Sequence, residues 1–564
     1  MRPAYFRLCE IDDMQHRRLS KAQSDNTTEK KMTLPMGKLE PNQDVGFNTI
    51  LAALYFWAEN QPDAMAVETD DYGKLTYGEL VDNARRLACG FLSLGLRMGD
   101  RVAIQIPSSP EFIVTYFACQ MTGCVLTTLH MPYRQEELKP LLSFAKPKAV
   151  VTTKVGKYDG PETMASLTRE ISSIEHILVS GEAAKGQHCL QRLIDTHDGR
   201  TLPPAPPPDS ESALCFTSGT SSAPKAVMRT QSIWTRNAAI FSEMLSLTRD
   251  DRIMIAPPLT HVFGLACAGN AIYSGATIVP IPLFSPETYA RYLVDLSPTV
   301  VYSAPAHLAA TLKSGVLDRN PPVTVRDVIV GGSICPPKVA EQFEARLPNG
   351  RVGCLFGMTE TSLATQTDPT APPEIRHGTV GQLAKGLKIR IVDGEGRELP
   401  ADEEGEMQLS GYSVLPEYHG NMTATTAAFT EDGWFRTGDL ALLDDKGNIM
   451  ITGRSKDIIN RGGIKINPSD IESLLDSHAA IIQSAVVPMP DSVLGERLCA
   501  YAVLHKDMKL ELDDVCKFLD QLNIGKMRWP ERLEIIDEMP MTPTRKIIKP
   551  VLVADIRKKL ESRE

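Results

Sequence analysis

Residues Cys215 to Gln231, CFTSGTSSAPKAVMRTQ, follow directly on the apolar run Ala213 to Phe216. Thr217, Ser218, Gly219, Thr220 and Ser221 lead to Pro224 and Lys225, the composition of a loop that leaves a strand to wrap a chain of phosphates. Small residues let backbone N–H groups approach oxyanions, hydroxyls add donors, and a lysine adds charge. The segment lacks the Gly-Lys-Ser/Thr ending of a Walker loop. Taken alone, its composition suits a polar surface loop equally well.

Four more segments carry residue types of chemical use. Leu355 to Ser362 reads LFGMTETS, Gly433 to Leu440 reads GWFRTGDL, Thr452 to Pro468 reads TGRSKDIINRGGIKINP, and Met541 to Pro550 reads MTPTRKIIKP. With the hydroxyl-rich loop, in this order and approximate spacing, they make the chain resemble the adenylate-forming superfamily over roughly residues 45 to 560. That superfamily includes acyl-CoA synthetases, aryl-acid and amino-acid adenylation enzymes, and luciferases. The motifs are specific to the superfamily and not to a substrate.

The resemblance implies an ATP- and Mg²⁺-dependent acid–thiol ligase working through an acyl-adenylate, with CoA as acceptor. Attack of a carboxylate on the α-phosphorus joins two anions, so the protein must align them and neutralise charge. By resemblance, Thr217, Ser218, Gly219, Thr220, Ser221 and Lys225 grip the outgoing phosphates. Gly331, Gly332, Ser333, Phe356, Gly357 and Met358 flank the adenine, Thr359 meets the α-phosphate, and Glu360 supplies a hard carboxylate for Mg²⁺. Asp439 and Arg454 hold the ribose, Lys456 is the hinge, and Lys546 bridges the carboxylate and the α-phosphate. His261 gates the site, and Val262, Phe263, Cys267 and Ser303 belong to the acid pocket. After a rotation of the C-terminal lid, Gly462 and Gly463 would pass a pantetheine arm beside Lys465, and Arg461 would meet CoA phosphates.

Three positions depart from the family pattern, because Ser222, Ala226 and Arg545 stand where glycine is usual. Val262 is informative as well: amino-acid-activating relatives place aspartate there and hydroxybenzoate-activating relatives asparagine, and valine does the work of neither. The segments Val262 to Cys267, Ser303 to Pro305 and Ser362 to Thr365 offer no ionised side chain, so the acid is expected to carry no charge beyond its carboxylate. The alternative is a stand-alone adenylation enzyme loading a carrier protein, which INRGGIKI and LGER (Leu494 to Arg497) resemble. A luciferase-like oxygenase and a non-catalytic binding protein are further rivals, the latter disfavoured by the intact Glu360, Asp439 and Lys546.

The elements that must carry these residues read as α/β: a large N-terminal part with mostly parallel sheets flanked by helices, then a small α+β lid. Helical runs such as Tyr77 to Leu94 alternate with β-rich runs such as Val102 to Ile106 and Ala149 to Thr153. We expect an extension over 1–44, an AMP-binding domain over 45–452, a hinge over 453–458 and a lid over 459–564. Thr201 to Ser212, TLPPAPPPDSES, is expected as a surface connector. The chain has 564 residues, 42% of them hydrophobic and 23% charged, with net charge −10, which speaks against broad nucleic-acid or anionic-membrane binding. Eleven scattered cysteines form no metal-ligand pattern, which favours free thiols in a reducing compartment. The uncharged stretches Phe112 to Tyr133 and Ile253 to Pro286 are broken by Gly, Pro and polar residues, so each is expected as a buried helix and strand and not a membrane span. No secretory signal, peroxisomal address or carrier domain beyond Lys546 is expected, and the location is read as cytoplasmic.

Overall fold

The computed structural model describes residues 46–217, 224–318, 320–491, 493–542 and 545–561. The 1–44 extension therefore lies outside the described residues.

Two large sheets carry most of the chain. The first has nine strands, running from Gln382–Leu383 through Ser362–Gln366, Arg351–Met358, Asp327–Val330, Val300–Ser303, Arg252–Ile255, Thr277–Pro280 and Met65–Glu68 to Lys74–Thr76. Its central pairings are parallel and its edges antiparallel. The second has eight strands and a parallel centre made of Val125–Thr128, Arg101–Gln105, Ala149–Val155 and His176–Ser180. Both match the α/β expectation, because strands buried on both faces need apolar runs such as VAI and AVV.

The uncharged stretches form the buried helices Pro110–Thr122 and Val262–Ser274, each followed by a buried strand. Among the described residues no helix is long and apolar enough to cross a membrane. Thr201 to Ser210 is irregular, as its prolines require, but Glu211 and Ser212 already belong to the strand Glu211–Phe216. The expected connector is thus two residues too long, since Glu211 opens the pairing with Thr230 across the sheet edge.

A four-stranded antiparallel sheet, Leu387–Val392, Gly405–Gly411, Phe435–Leu443 and Ile449–Arg454, ends at the expected hinge. The turn Ser455–Asp457 follows, and from Ile459 the chain builds a five-stranded sheet of its own. Along Ile481–Asp491 and Gly495–Leu504 side chains alternate between two clusters. Val486, Leu498, Ala500 and Ala502 pack with the helices Pro468–Leu475 and Leu512–Gln521, whereas Ala485, Val487, Cys499 and Tyr501 pack with the helix Lys549–Glu561. A period-two strand covered on both faces is a complete core. Residues 459–561 expressed alone should therefore unfold cooperatively in urea, with a single transition seen by both circular dichroism and tryptophan fluorescence; a featureless melt would show that this segment depends on the rest of the chain.

Candidate active site

The loop expected to hold phosphates is closed at its base by an antiparallel pair. Glu211–Phe216 runs against Ala226–Thr230, and the Thr217 N–H donates to the Lys225 carbonyl at 2.9 Å. Ser218, Gly219, Thr220, Ser221 and Ser222 lie outside the described residues. Ala226 is an ordinary buried strand residue paired with Phe216, so its methyl group is accommodated without cost. The Lys225 ammonium lies 5.1 Å from the centroid of the Tyr418 ring, and the Tyr418 hydroxyl donates to Glu360 Oε1 at 2.7 Å. The phosphate-loop lysine and the Glu360 carboxylate thus share one tyrosine.

Thr359 and Glu360 occupy the turn between the strands Arg351–Met358 and Ser362–Gln366, and both are buried. The turn is tight. A Cβ on Gly357 would come within 2.4 Å of the Ser362 carbonyl oxygen, and Ser362 itself adopts a left-handed φ of 58°. Asn237, on the helix Gln231–Met244, holds this corner by donating to the Leu363 carbonyl at 2.9 Å and accepting from the Ser362 hydroxyl at 3.2 Å. Arg229 holds the other side: its guanidinium is fully buried and donates to the Thr359 carbonyl and, at 2.6 Å, to the Ser413 carbonyl. Burial lowers its pKa to about 10, with the Cys215 and Glu360 side chains opposing that shift. Sequence reasoning missed both residues. Nothing in the strand AVMRT or the helix QSIWTRNAAIFSEM, both of which hold other polar residues, marks them out.

Phe356, Gly357, Met358, Gly332, Ser333, Asp439, Arg454, Lys456 and Lys546 line one cleft of about 1710 Å³. Gly331 stands just behind it, its N–H donating to the Ser303 carbonyl at 3.0 Å. Asp439 and Arg454 are cross-strand partners, and Arg454 Nε donates to Asp439 Oδ1 at 2.8 Å. The second oxygen, Oδ2, is buried without a protein partner, an acceptor left for a ligand hydroxyl. Burial raises the Asp439 pKa against the pull of Arg454, Lys546 and Lys456. Lys546 sits among the same charges: burial and the Arg454 cation lower its pKa, opposed by Asp439 and Glu360.

His261 caps the helix Val262–Ser274, its Nδ1 accepting from the Phe263 N–H at 3.2 Å. Burial, His130 and Lys546 hold its pKa well below the usual value, so the ring is neutral. Val262, Phe263, Cys267 and Ser303, expected at the acid pocket, are all buried, and the Ser303 hydroxyl accepts from the Tyr289 hydroxyl at 3.1 Å. The apolar wall of the cleft is formed by Phe284, Pro305, Ala306, Ala309, Ala310 and Ile334. Small residues at 306, 309 and 310 share one face of the helix Pro305–Ser314, a spacing legible in the sequence.

The residues expected at CoA are apart from all this. Arg461 ends one arm of a hairpin whose turn, Gly462 and Gly463, has φ of 59° and 91°, and Lys465 is exposed on the other arm. None of the four lines the cleft, and Arg461 Nε is paired with Glu531 at 2.7 Å. Lys456 does line it, in the turn Ser455–Asp457, while Asn467 Nδ2 donates to the Thr452 carbonyl at 2.9 Å across the junction.

Arg229→Met should lower ATP–pyrophosphate exchange about 10-fold or more, since a misplaced turn costs rate even without a direct contact. Measured well below the midpoint of thermal unfolding, that loss should persist in fully folded protein. A loss that tracks only the unfolded fraction would assign Arg229 to stability alone.

The comparisons with known proteins follow from this arrangement. The AMP-binding enzyme family matches residues 54–419, and the AMP-binding enzyme C-terminal domain matches residues 470–546. The chain is 31% identical over 524 residues to a salicylyl-CoA synthase / salicylate adenylyltransferase of Streptomyces sp., covering 91% of this chain and 94% of the relative. It is also 31% identical to the medium-chain fatty-acid–CoA ligase of Escherichia coli (strain K12), covering 89% of each. Among solved structures, ATP-bound MatB from Rhodopseudomonas palustris superposes with a TM-score of 0.81 at 27% identity, covering 90% of this chain and 98% of that one. By matched domains, order and fold, this chain belongs to the AMP-binding enzyme family.

Proposed function

We propose that the chain activates a carboxylic acid with ATP to an enzyme-bound acyl-adenylate and then transfers the acyl group to the thiol of CoA. The observation that carries this reading is Lys546: a lysine from the C-terminal domain, near the end of the chain, sits in one cleft with Asp439 and Arg454, beside the Glu360 charge. Relatives of this length act as a salicylyl-CoA synthase and as a medium-chain fatty-acid–CoA ligase, which supports the reaction class and leaves the acid open.

In this reading Asp439 Oδ2 accepts from a ribose hydroxyl, Phe356 lies against the adenine, and Lys225 faces the outgoing phosphates. The Lys546 ammonium bridges the incoming carboxylate and the α-phosphate, stabilising charge where it builds up. Glu360 would hold Mg²⁺ together with the phosphates. A single buried carboxylate with one oxygen on Tyr418 suits an ion that takes few protein ligands, and among the described residues no cluster of three acidic, His or Cys side chains competes for it. Bound there, the ion would neutralise phosphate charge. Thioester formation then needs the lid, residues 459–564, to turn about Lys456 in the hinge 453–458 and bring Gly462, Gly463 and Lys465 to the cleft, freeing Arg461 from Glu531. A cytoplasmic setting belongs to the reading, supported by the scattered free cysteines.

Lys546→Ala should lower acid-dependent pyrophosphate exchange about 10²-fold or more, while thioester formation from added acyl-adenylate largely survives. Equal losses in both half-reactions would remove Lys546 from the first step. The acid should be aliphatic or simple aromatic, given the wall of Phe284, Pro305, Ala306, Ala309, Ala310 and Ile334. A panel assayed by pyrophosphate release with CoA checks this, and preference for an amino acid or a dicarboxylate would overturn it. AMP release with the best acid, together with acylation of a holo carrier protein and no acyl-CoA, would move the acceptor from CoA to a carrier.

A further inference from the structure

We propose that Arg545 is a latch: seated on Phe284 of the large domain, its guanidinium holds the lid where Lys546 enters the cleft. Arg545 stands where glycine is usual in the family, yet its φ is 62°, a left-handed conformation that a Cβ disfavours. A residue kept in such a conformation requires a compensating contact. That contact is the Phe284 ring, whose centroid lies 5.4 Å from the guanidinium carbon. Arg545 makes no ion pair with a described residue, so the aromatic face is the partner its charge has.

The platform is rigid. Phe284 stacks on His307 at 4.3 Å and meets Tyr289 edge-on at 5.9 Å, and both partners are buried in the core of the large domain. His307 Nδ1 accepts from the Ala304 N–H, and burial lowers its pKa to about 3, so the ring behind Phe284 is neutral and leaves the cation unopposed. The coupling to Lys546 is equally direct. The Thr542 carbonyl accepts from the Arg545 N–H at 2.9 Å, the Thr542 hydroxyl accepts from the Lys546 N–H at 3.0 Å, and the Thr542 N–H donates to the Lys546 carbonyl at 2.7 Å. One hydrogen-bonded turn therefore sends two successive side chains across the domain boundary, Lys546 into the charge cluster and Arg545 onto the aromatic wall. Arg545 is a positioning residue for Lys546. Its contact must break whenever the lid leaves, so it favours the first half-reaction at the expense of the second and prolongs the life of the acyl-adenylate.

This inference rests on the proposed reading that the lid turns between half-reactions. Its test begins with the full chain carrying a fluorophore pair at the exposed Glu395 and Lys506, measured by single-molecule energy transfer without ligands. Arg545→Gly and Phe284→Leu should each move about 2- to 5-fold more molecules into a second, open population, the range expected for loss of one partly exposed cation–π contact. In the half-reactions both variants should slow pyrophosphate exchange and speed thioester formation from added acyl-adenylate. Arg545→Lys should fall between them and wild type, and the double variant should add little to either single one. Phe284→Leu leaves the backbone at 545 untouched, so it separates the latch from relief of the left-handed conformation. An unchanged transfer distribution in both single variants, a shift toward the closed population in Arg545→Gly, or equal change in both half-reactions would overturn the latch. The distribution needs neither acid nor acceptor, so an open shift without any pyrophosphate exchange would refute the proposed activity and leave the latch standing.

Discussion

The ion pair between Asp439 and Arg454 is the constraint around which the site is arranged. Both residues are ends of a β-ladder, directly opposite each other in register, so their geometry is set by backbone pairing before any ligand arrives. One carboxylate oxygen is satisfied by the guanidinium and the other is buried and free, which makes Asp439 a preorganised acceptor. Arg454 is also the last residue of the large domain's final strand, and the turn Ser455–Asp457 begins at once.

Burying several charges in one cleft is unfavourable unless each is compensated. Here Lys546 and Asp439 are pushed toward neutrality by burial and drawn back by one another, with Arg454 repelling the first and supporting the second. The Glu360 turn is stiffened independently, by Arg229 and Asn237 from the strand and helix that follow the phosphate loop. The strand Ala226–Thr230 and its following helix therefore support the carboxylate turn, although about 130 residues separate Arg229 from Thr359.

Much of the fold was legible because it is local. Apolar runs bounded by Gly and Pro marked the buried helix and strand pairs at 110–128 and 262–280. The antiparallel sheet of 387–454 was not legible as a whole, because the strands Leu387–Val392 and Gly405–Gly411 sit among charged turns that blur their alternation. The surroundings of the expected acid-pocket residues were not legible either: Cys267 and Ser303 are buried, and the partner of the Ser303 hydroxyl, Tyr289, is set by packing and not by any local pattern.

The sequence by itself was enough for the family, because short motifs such as TSGT, GMTE and TGD, in their order along the chain, carry the resemblance to adenylate-forming enzymes. The same resemblance singled out Lys546 as a candidate. Only the tertiary structure decided that Lys546 shares a cleft with Asp439, that Arg229 and Asn237 brace the turn carrying Glu360, and that Arg545 rests on Phe284 while the Gly462–Gly463 hairpin stays outside the cleft. Those contacts join residues tens to hundreds of positions apart. Their existence depends on how distant elements pack, and a local pattern carries no record of that packing.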